Sequence, residues 1–128
     1  MEQQKKLYVS IDTKDKITIL SSWLTEKKAE DLLALDLAAH SSVAEALVIV
    51  TATSIRHAQG LADTVLERCR QEKIEFLSME GYAVGQWILL DLNDVLIHIF
   101  QKENRELYKL DDLWPDAKTI VDQREETR

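Results

Sequence analysis

The sequence predicts one α/β domain built on a mixed five-stranded sheet packed with helices. Three observations carry that expectation. Residues 46–52 (ALVIVTA) form a β-branched apolar run, followed by apolar positions at helical spacing and a further short apolar run near 76–79. Strand, helix and strand in that order favour a parallel arrangement. Residues 80–100 (EGYAVGQWILLDLNDVLIHIF) then read as two apolar strands joined tightly at Asn93-Asp94, which requires an antiparallel pair. The third observation is size: 128 residues at 45% hydrophobic composition supply one core and need no second domain.

The elements follow in order. Residues 1–15 are polar and expected to be a flexible N-terminal segment, with the domain over 16–116 and a flexible C-terminal tail over 117–128. Ile17, Leu20, Trp23 and Leu24 fall three and four residues apart, the spacing of an amphipathic helix that ends near residue 30. LLALDL at 32–37 is a short strand, and Ala39-His40-Ser41-Ser42 a turn. After the 46–52 strand, Thr53 or Ser54 can cap a helix whose stripe is Ile55, Ala58, Ala62, Val65, Leu66 and Cys69. A strand at 76–79, a loop at 81–85, the hairpin and a short helix or turn at 102–107 complete the domain. Leu113-Trp114-Pro115 closes it, because Pro cannot continue a helix.

The hairpin is the most informative stretch. Asn and Asp tolerate positive φ, so Asn93 and Asp94 can fill both central places of a two-residue turn. Leu92 then faces Val95, Asp91 faces Leu96, Leu89 faces His98 and Trp87 faces Phe100. Alternation puts Ile88, Leu90, Leu92, Val95, Ile97 and Ile99 on one face, which is core. The opposite face carries Trp87, Leu89, Asp91, Leu96, His98 and Phe100. Either the chain's own helices cover it, or it is a partner-binding patch in which aromatics anchor and an acid sets register.

Composition narrows the function. The net charge is −7, with residues 1–30 at +1 and residues 31–128 at −8. Such a field repels phosphate backbones and favours a basic protein surface, so no direct nucleic acid contact is expected. Simple solubility is the plainer reading of the same charge. No apolar run approaches a membrane span, and the charged N-terminus lacks the apolar stretch of a signal peptide. The lone Cys69 forms no internal disulfide, suits a reducing cytoplasm and reads as a buried structural thiol.

Catalytic constellations are weak. The stretch Thr51 to His57 places a helix N-terminus after a buried strand, with Arg56 and His57 adding positive charge, but it lacks a glycine-rich phosphate loop. Asp36, Asp91 and Asp94 raise a Mg²⁺ site, yet turn formation explains Asp91 and Asp94 better. His40, His57 and His98 have no metal-ligand spacing, and no metal or cofactor is expected. Ser41, Ser42 and Ser54 sit in no nucleophile motif.

The motifs Lys27-Lys28-Ala29-Glu30-Asp31, Leu35-Asp36-Leu37, Thr51 to His57, Glu80-Gly81, Trp87 to Asp94, His98-Ile99-Phe100, Arg105-Glu106-Leu107-Tyr108 and Leu113-Trp114 stand in register. In that order and spacing the chain resembles the ribosomal silencing factor family, also called Iojap-like, over about residues 20–115. It departs at Ala52 and Asn93, where the family usually has Gly, and at Ile55, where Ser is usual; Asn93 can take the same left-handed turn, whereas Ala52 and Ile55 argue against an anion role for the Thr51–His57 turn. The resemblance implies a nucleotidyltransferase-like fold without the active site, and a protein that is not an enzyme. It further implies binding to the basic L-fourteen-type protein of the large ribosomal subunit, at the face that meets the small subunit. Subunit joining is then blocked sterically and translation repressed, with homodimers in the free state. The carried-over partner-binding residues are Trp87, Leu89, Asp91, His98 and Phe100, with Glu80 and Tyr82 at the rim. The alternatives are a Mg²⁺-dependent nucleotidyltransferase-like enzyme using the aspartates, and a generic dimerisation module using the aromatic face.

Overall fold

Residues 8–125 are described by a computed structural model; residues 1–7 and 126–128, the outer parts of both expected terminal segments, lie outside it. The elements are α1 (Thr13–Glu26), β1 (Glu30–Asp36), β2 (Ala46–Ala52), α2 (Ile55–Glu72), β3 (Ser78–Glu80), β4 (Trp87–Asp91), β5 (Val95–Gln101), α3 (Lys102–Tyr108) and β6 (Lys118–Asp122), with a 3₁₀ turn at Leu110–Asp112.

Local chemistry sets the helix ends. The Asp12 carboxylate accepts the Lys14 N–H and starts α1, and Asp15 favours the positive end of the helix dipole. Lys27 ends α1, and Lys28 follows in the left-handed region at φ 68°. Ser54, not Thr53, caps α2: its hydroxyl accepts the His57 N–H at 2.9 Å. Lys73 ends α2 in the left-handed conformation, where its N–H reaches the Cys69 carbonyl.

One sheet holds six strands in the order β3-β4-β5-β2-β1-β6. The expected count of five is therefore corrected to six. The added strand comes from the stretch expected as a tail, since β6 pairs antiparallel with β1 and half-buries Ile120 and Val121. Two apolar residues amid polar and charged ones give little local signal, and the partner strand lies far upstream. The expected N-terminal segment is likewise shorter, because α1 begins at Thr13 and the Val9 N–H donates to the Lys73 carbonyl at 2.8 Å.

β2 is the centre of the sheet and is buried along its whole length. Its parallel neighbour is β5, not β3; the hairpin strands β4 and β5 come between. Both long helices pack on one face. There Ile17, Leu20 and Leu24 of α1 and Ala58, Leu61 and Val65 of α2 cover Val48, Val50 and the aliphatic hairpin face Ile88, Leu90, Leu92, Val95, Ile97 and Ile99. Burying Leu- and Ile-sized side chains removes roughly 1.5–3 kcal/mol each of exposure cost, so this layer dominates stability. On the opposite face a smaller cluster joins Leu33, Leu35, Leu37, Leu47, Ile49 and Phe100.

The hairpin register matches the expectation pair for pair from Trp87↔Phe100 to Asp91↔Leu96. Its turn does not: only Asn93 has positive φ, at 82°. Asp94 instead turns to α1, where its carboxylate meets the nearly buried Lys16 ammonium at 2.7 Å. This ion pair ties the helix start to the hairpin tip.

Asp94→Ala leaves the Lys16 ammonium unpaired and is expected to cost about 2 kcal/mol in urea unfolding. Adding Lys16→Met is expected to recover part of that loss; an Asp94→Ala protein as stable as the parent would assign the join to apolar packing alone. Ser21 Oγ is buried and has no partner among the described residues. Ser21→Ala is accordingly expected to raise stability by about 1 kcal/mol, read from the same unfolding midpoint.

Candidate protein-docking face

On the second sheet face, strand register lines up a row across the molecule. Glu80 on β3 faces Leu89 on β4, Leu89 faces His98 on β5, His98 faces Ile49 on β2, and Ile49 faces Leu33 on β1. Burial changes along this row: Glu80 is exposed, Leu89 half-buried, and His98, Ile49 and Leu33 are buried. The cover explains the gradient. After β5 the chain turns through α3 and the 3₁₀ turn, so Leu110, Trp114 and Ala117 pack over the β1–β2–β5 side.

Arg105 anchors that cover. Buried, it donates to Thr51 Oγ1 at 3.0 Å and grips both Asp111 oxygens, at 3.1 and 2.7 Å. The fork geometry suits a two-point carboxylate contact. Arg124 adds a second bidentate pair with Asp122, which holds that carboxyl down at about 2.

At the boundary between covered and open sheet stands an aromatic group. Trp87 lies 4.8 Å from Phe100 and 4.8 Å from Tyr108, both tilted, and its indole Nε1–H donates to His98 Nδ1 at 2.9 Å. His98 and Phe100 stack at 6.1 Å. Of the expected contact residues, Phe100 is fully buried and His98 only 8% exposed. They form the floor. Trp87, Leu89 and Asp91 remain half-buried at the surface. Tyr108 is 51% exposed and was absent from the expected set. It is last in a seven-residue helix that folds back over Trp87, and the adjacency of α3 to β5 was the available signal.

The rim also divides. Glu80 shares the face of Leu89 and is exposed. Tyr82 does not join it. Its hydroxyl donates to Asp63 and its carbonyl accepts the Gln59 side chain, so it is pinned to α2 and packs with the first core. The Asp63 bond raises the Tyr82 hydroxyl above its ordinary value. Gly81 makes that detour possible: at φ +82° it lies where a Cβ would strike the Trp87 carbonyl oxygen at 2.2 Å. Asp91 keeps one oxygen for the Asn93 N–H at 2.8 Å.

The other candidate groups are taken up locally. His57 accepts the Thr53 N–H at Nδ1 and donates from Nε2 to the Lys27 carbonyl, so it braces the α2 start. Asp36 accepts the Ala38 N–H, and Asp94 holds Lys16. No cluster of three or more potential metal ligands occurs among the described residues, and none of their helices is long and apolar enough to cross a membrane. Burial pushes the Cys69 thiol up to about 11.

Burial also pushes His98 down to about 4. The ring is uncharged in the fold, whereas the unfolded chain protonates it near pH 6.5. Stability contributed by the neutral ring is complete above that value and falls as pH drops towards 4. His98→Asn removes the titrating ring. The stability gap between parent and variant is expected to shrink by about 1–2 kcal/mol from pH 7.5 to pH 5, measured by urea unfolding. A gap independent of pH would mean that the ring titrates normally.

Half-exposed aromatics flanked by carboxylates have the chemistry of a contact for a basic protein surface. Residues 10–128 match the family described as "Ribosomal silencing factor during starvation". A protein named ribosomal silencing factor RsfS from Bacillus subtilis is 35% identical over 107 residues, which cover 84% of this chain and 91% of that protein. A crystal structure of a Chromobacterium violaceum protein superposes with TM-score 0.76 at 25% identity, over 86% of this chain and 90% of the other. One from Bacillus halodurans gives TM-score 0.71 at 30% identity, over 78% and 93%. With the family matched over nearly its whole length, the chain belongs to the ribosomal silencing factors.

Proposed function

We propose that this chain represses translation by docking on the large ribosomal subunit and keeping the small subunit away. The docking target is the basic L-fourteen-type protein, and the block is steric. One observation carries the reading: the second sheet face is left open over β3 and β4. There Trp87, Tyr108 and Leu89 give an apolar centre, and the Glu80 and Asp91 carboxylates lie to one side. Nine acidic against three basic side chains over residues 74–116 give the approach an attractive field for a cationic surface. In this reading the nucleotidyltransferase-like scaffold carries no chemistry, since Asp36, Asp91 and Asp94 each serve a local bond. The protein acts in the cytoplasm, and in the free state a second copy competes for the same face.

Sedimentation of purified subunits with the protein in excess is expected to show subunits that stay apart; normal joining at saturation would overturn the reading. Trp87→Ala is expected to weaken large-subunit binding about 30-fold or more, the loss typical of a central aromatic anchor. Glu80→Lys removes no side-chain bond among the described residues and is expected to slow association and flatten its salt dependence. Undiminished binding by both variants would move the contact to another face.

A further inference from the structure

We propose that His98 presents its Nε2–H as a fixed hydrogen-bond donor to an uncharged carbonyl oxygen of the docked protein. The inference rests on the docking reading above and goes further, by assigning one donor atom and the chemistry of the group it meets. The tautomer follows from the partner on the other nitrogen. An indole N–H can only donate, so the His98 Nδ1 that receives the Trp87 Nε1–H at 2.9 Å must be unprotonated. A neutral ring then carries its proton on Nε2. Burial, which holds the ring near 4, keeps it neutral at physiological pH.

That Nε2–H has no hydrogen-bond partner among the described residues, although more than nine-tenths of His98 is buried. Among the described residues Ser21 Oγ is the sealed side-chain polar atom without a partner; Nε2 is not of that kind, and His98 retains 8% of its surface. A donor at the edge of an apolar patch loses its water when another surface closes over it. Unless an acceptor replaces that water, the loss opposes docking. The ring cannot turn away, because Trp87 holds Nδ1 and Phe100 stacks on its face.

The surroundings select the acceptor. The cross-sheet row runs from His98 through Leu89 to Glu80, and Asp91 stands on the same face, opposite Leu96. A carboxylate brought to Nε2 would face these two acids, and cationic side chains have no lone pair to offer. A main-chain carbonyl, or the amide oxygen of Asn or Gln, satisfies the donor without that repulsion. A cationic partner surface therefore meets the acidic rim, while one of its neutral carbonyls meets His98.

Two substitutions separate the ring nitrogens. Asn places polar atoms near the Nδ1 position, and Gln extends its amide N–H to the reach of Nε2. Binding of the full chain to purified large subunits is measured for the parent, His98→Gln, His98→Asn and Trp87→Ala. Nitrogen-15 NMR of the free protein reads the tautomer directly. The expected results are a proton on Nε2, binding about tenfold weaker for His98→Asn, and binding for His98→Gln between that and the parent. A proton on Nδ1 overturns the inference, and so does His98→Asn binding as well as or better than His98→Gln. If the parent itself fails to bind large subunits, the docking reading falls. If the parent binds and Trp87→Ala does not, the docking reading stands whatever the His98 variants show.

Discussion

A sheet buried at its centre has two apolar faces, and both must leave water; in this protein the supply of cover is unequal. α1 and α2, fourteen and eighteen residues long, blanket one face from the hairpin to β1. The second face has a seven-residue helix, a single 3₁₀ turn and the Trp114 segment. That is enough for β1, β2 and β5, and not enough for β3 and β4. The position of the open patch follows from this shortage, as does the half-burial of Trp87 and Leu89.

Polar contacts decide where the thin cover ends. Arg105 reaches through to Thr51 on β2 and clamps Asp111, so α3 and the turn after it are held over the central strands. Tyr108, the last residue of α3, lies against Trp87 at the edge of the cover. Trp87 is then held by tilted ring contacts with Tyr108 and Phe100 and by its bond to His98. An aromatic anchor ordered before contact loses less entropy on docking, which favours affinity without added area.

Charge is distributed to match. On the helix-covered side, the Asp94 carboxylate is neutralised by Lys16 and serves the fold. On the open side, Glu80 has no ion-pair partner among the described residues and Asp91 gives one oxygen to a turn, so both retain field for an approaching surface. Carboxylates close in sequence thus divide between stability and recognition, the strand residues by the face their position selects and Asp94 by where the hairpin turn aims it.

The sequence by itself determined everything that depends on local pattern. Period-two alternation gave the hairpin register and its aliphatic face, and helical spacing gave α2 with its cap at the second of two adjacent candidates. Short motifs standing in register were enough to point to the family. Nonlocal pairing was out of reach. Lys118–Asp122 has too few apolar residues to announce a strand, and becomes one only because β1 offers an unpaired edge. Exposure on the second face was equally hidden, since alternation gives Trp87, Phe100 and His98 the same side but cannot say how far a short helix reaches across it. Tyr82 shows the same limit: its neighbour Glu80 stays on the open face, while Gln59 and Asp63 of α2 draw Tyr82 to the other. Periodicity is a property of neighbouring residues, whereas burial depends on which distant segments are long enough to arrive, and only the folded chain sets that.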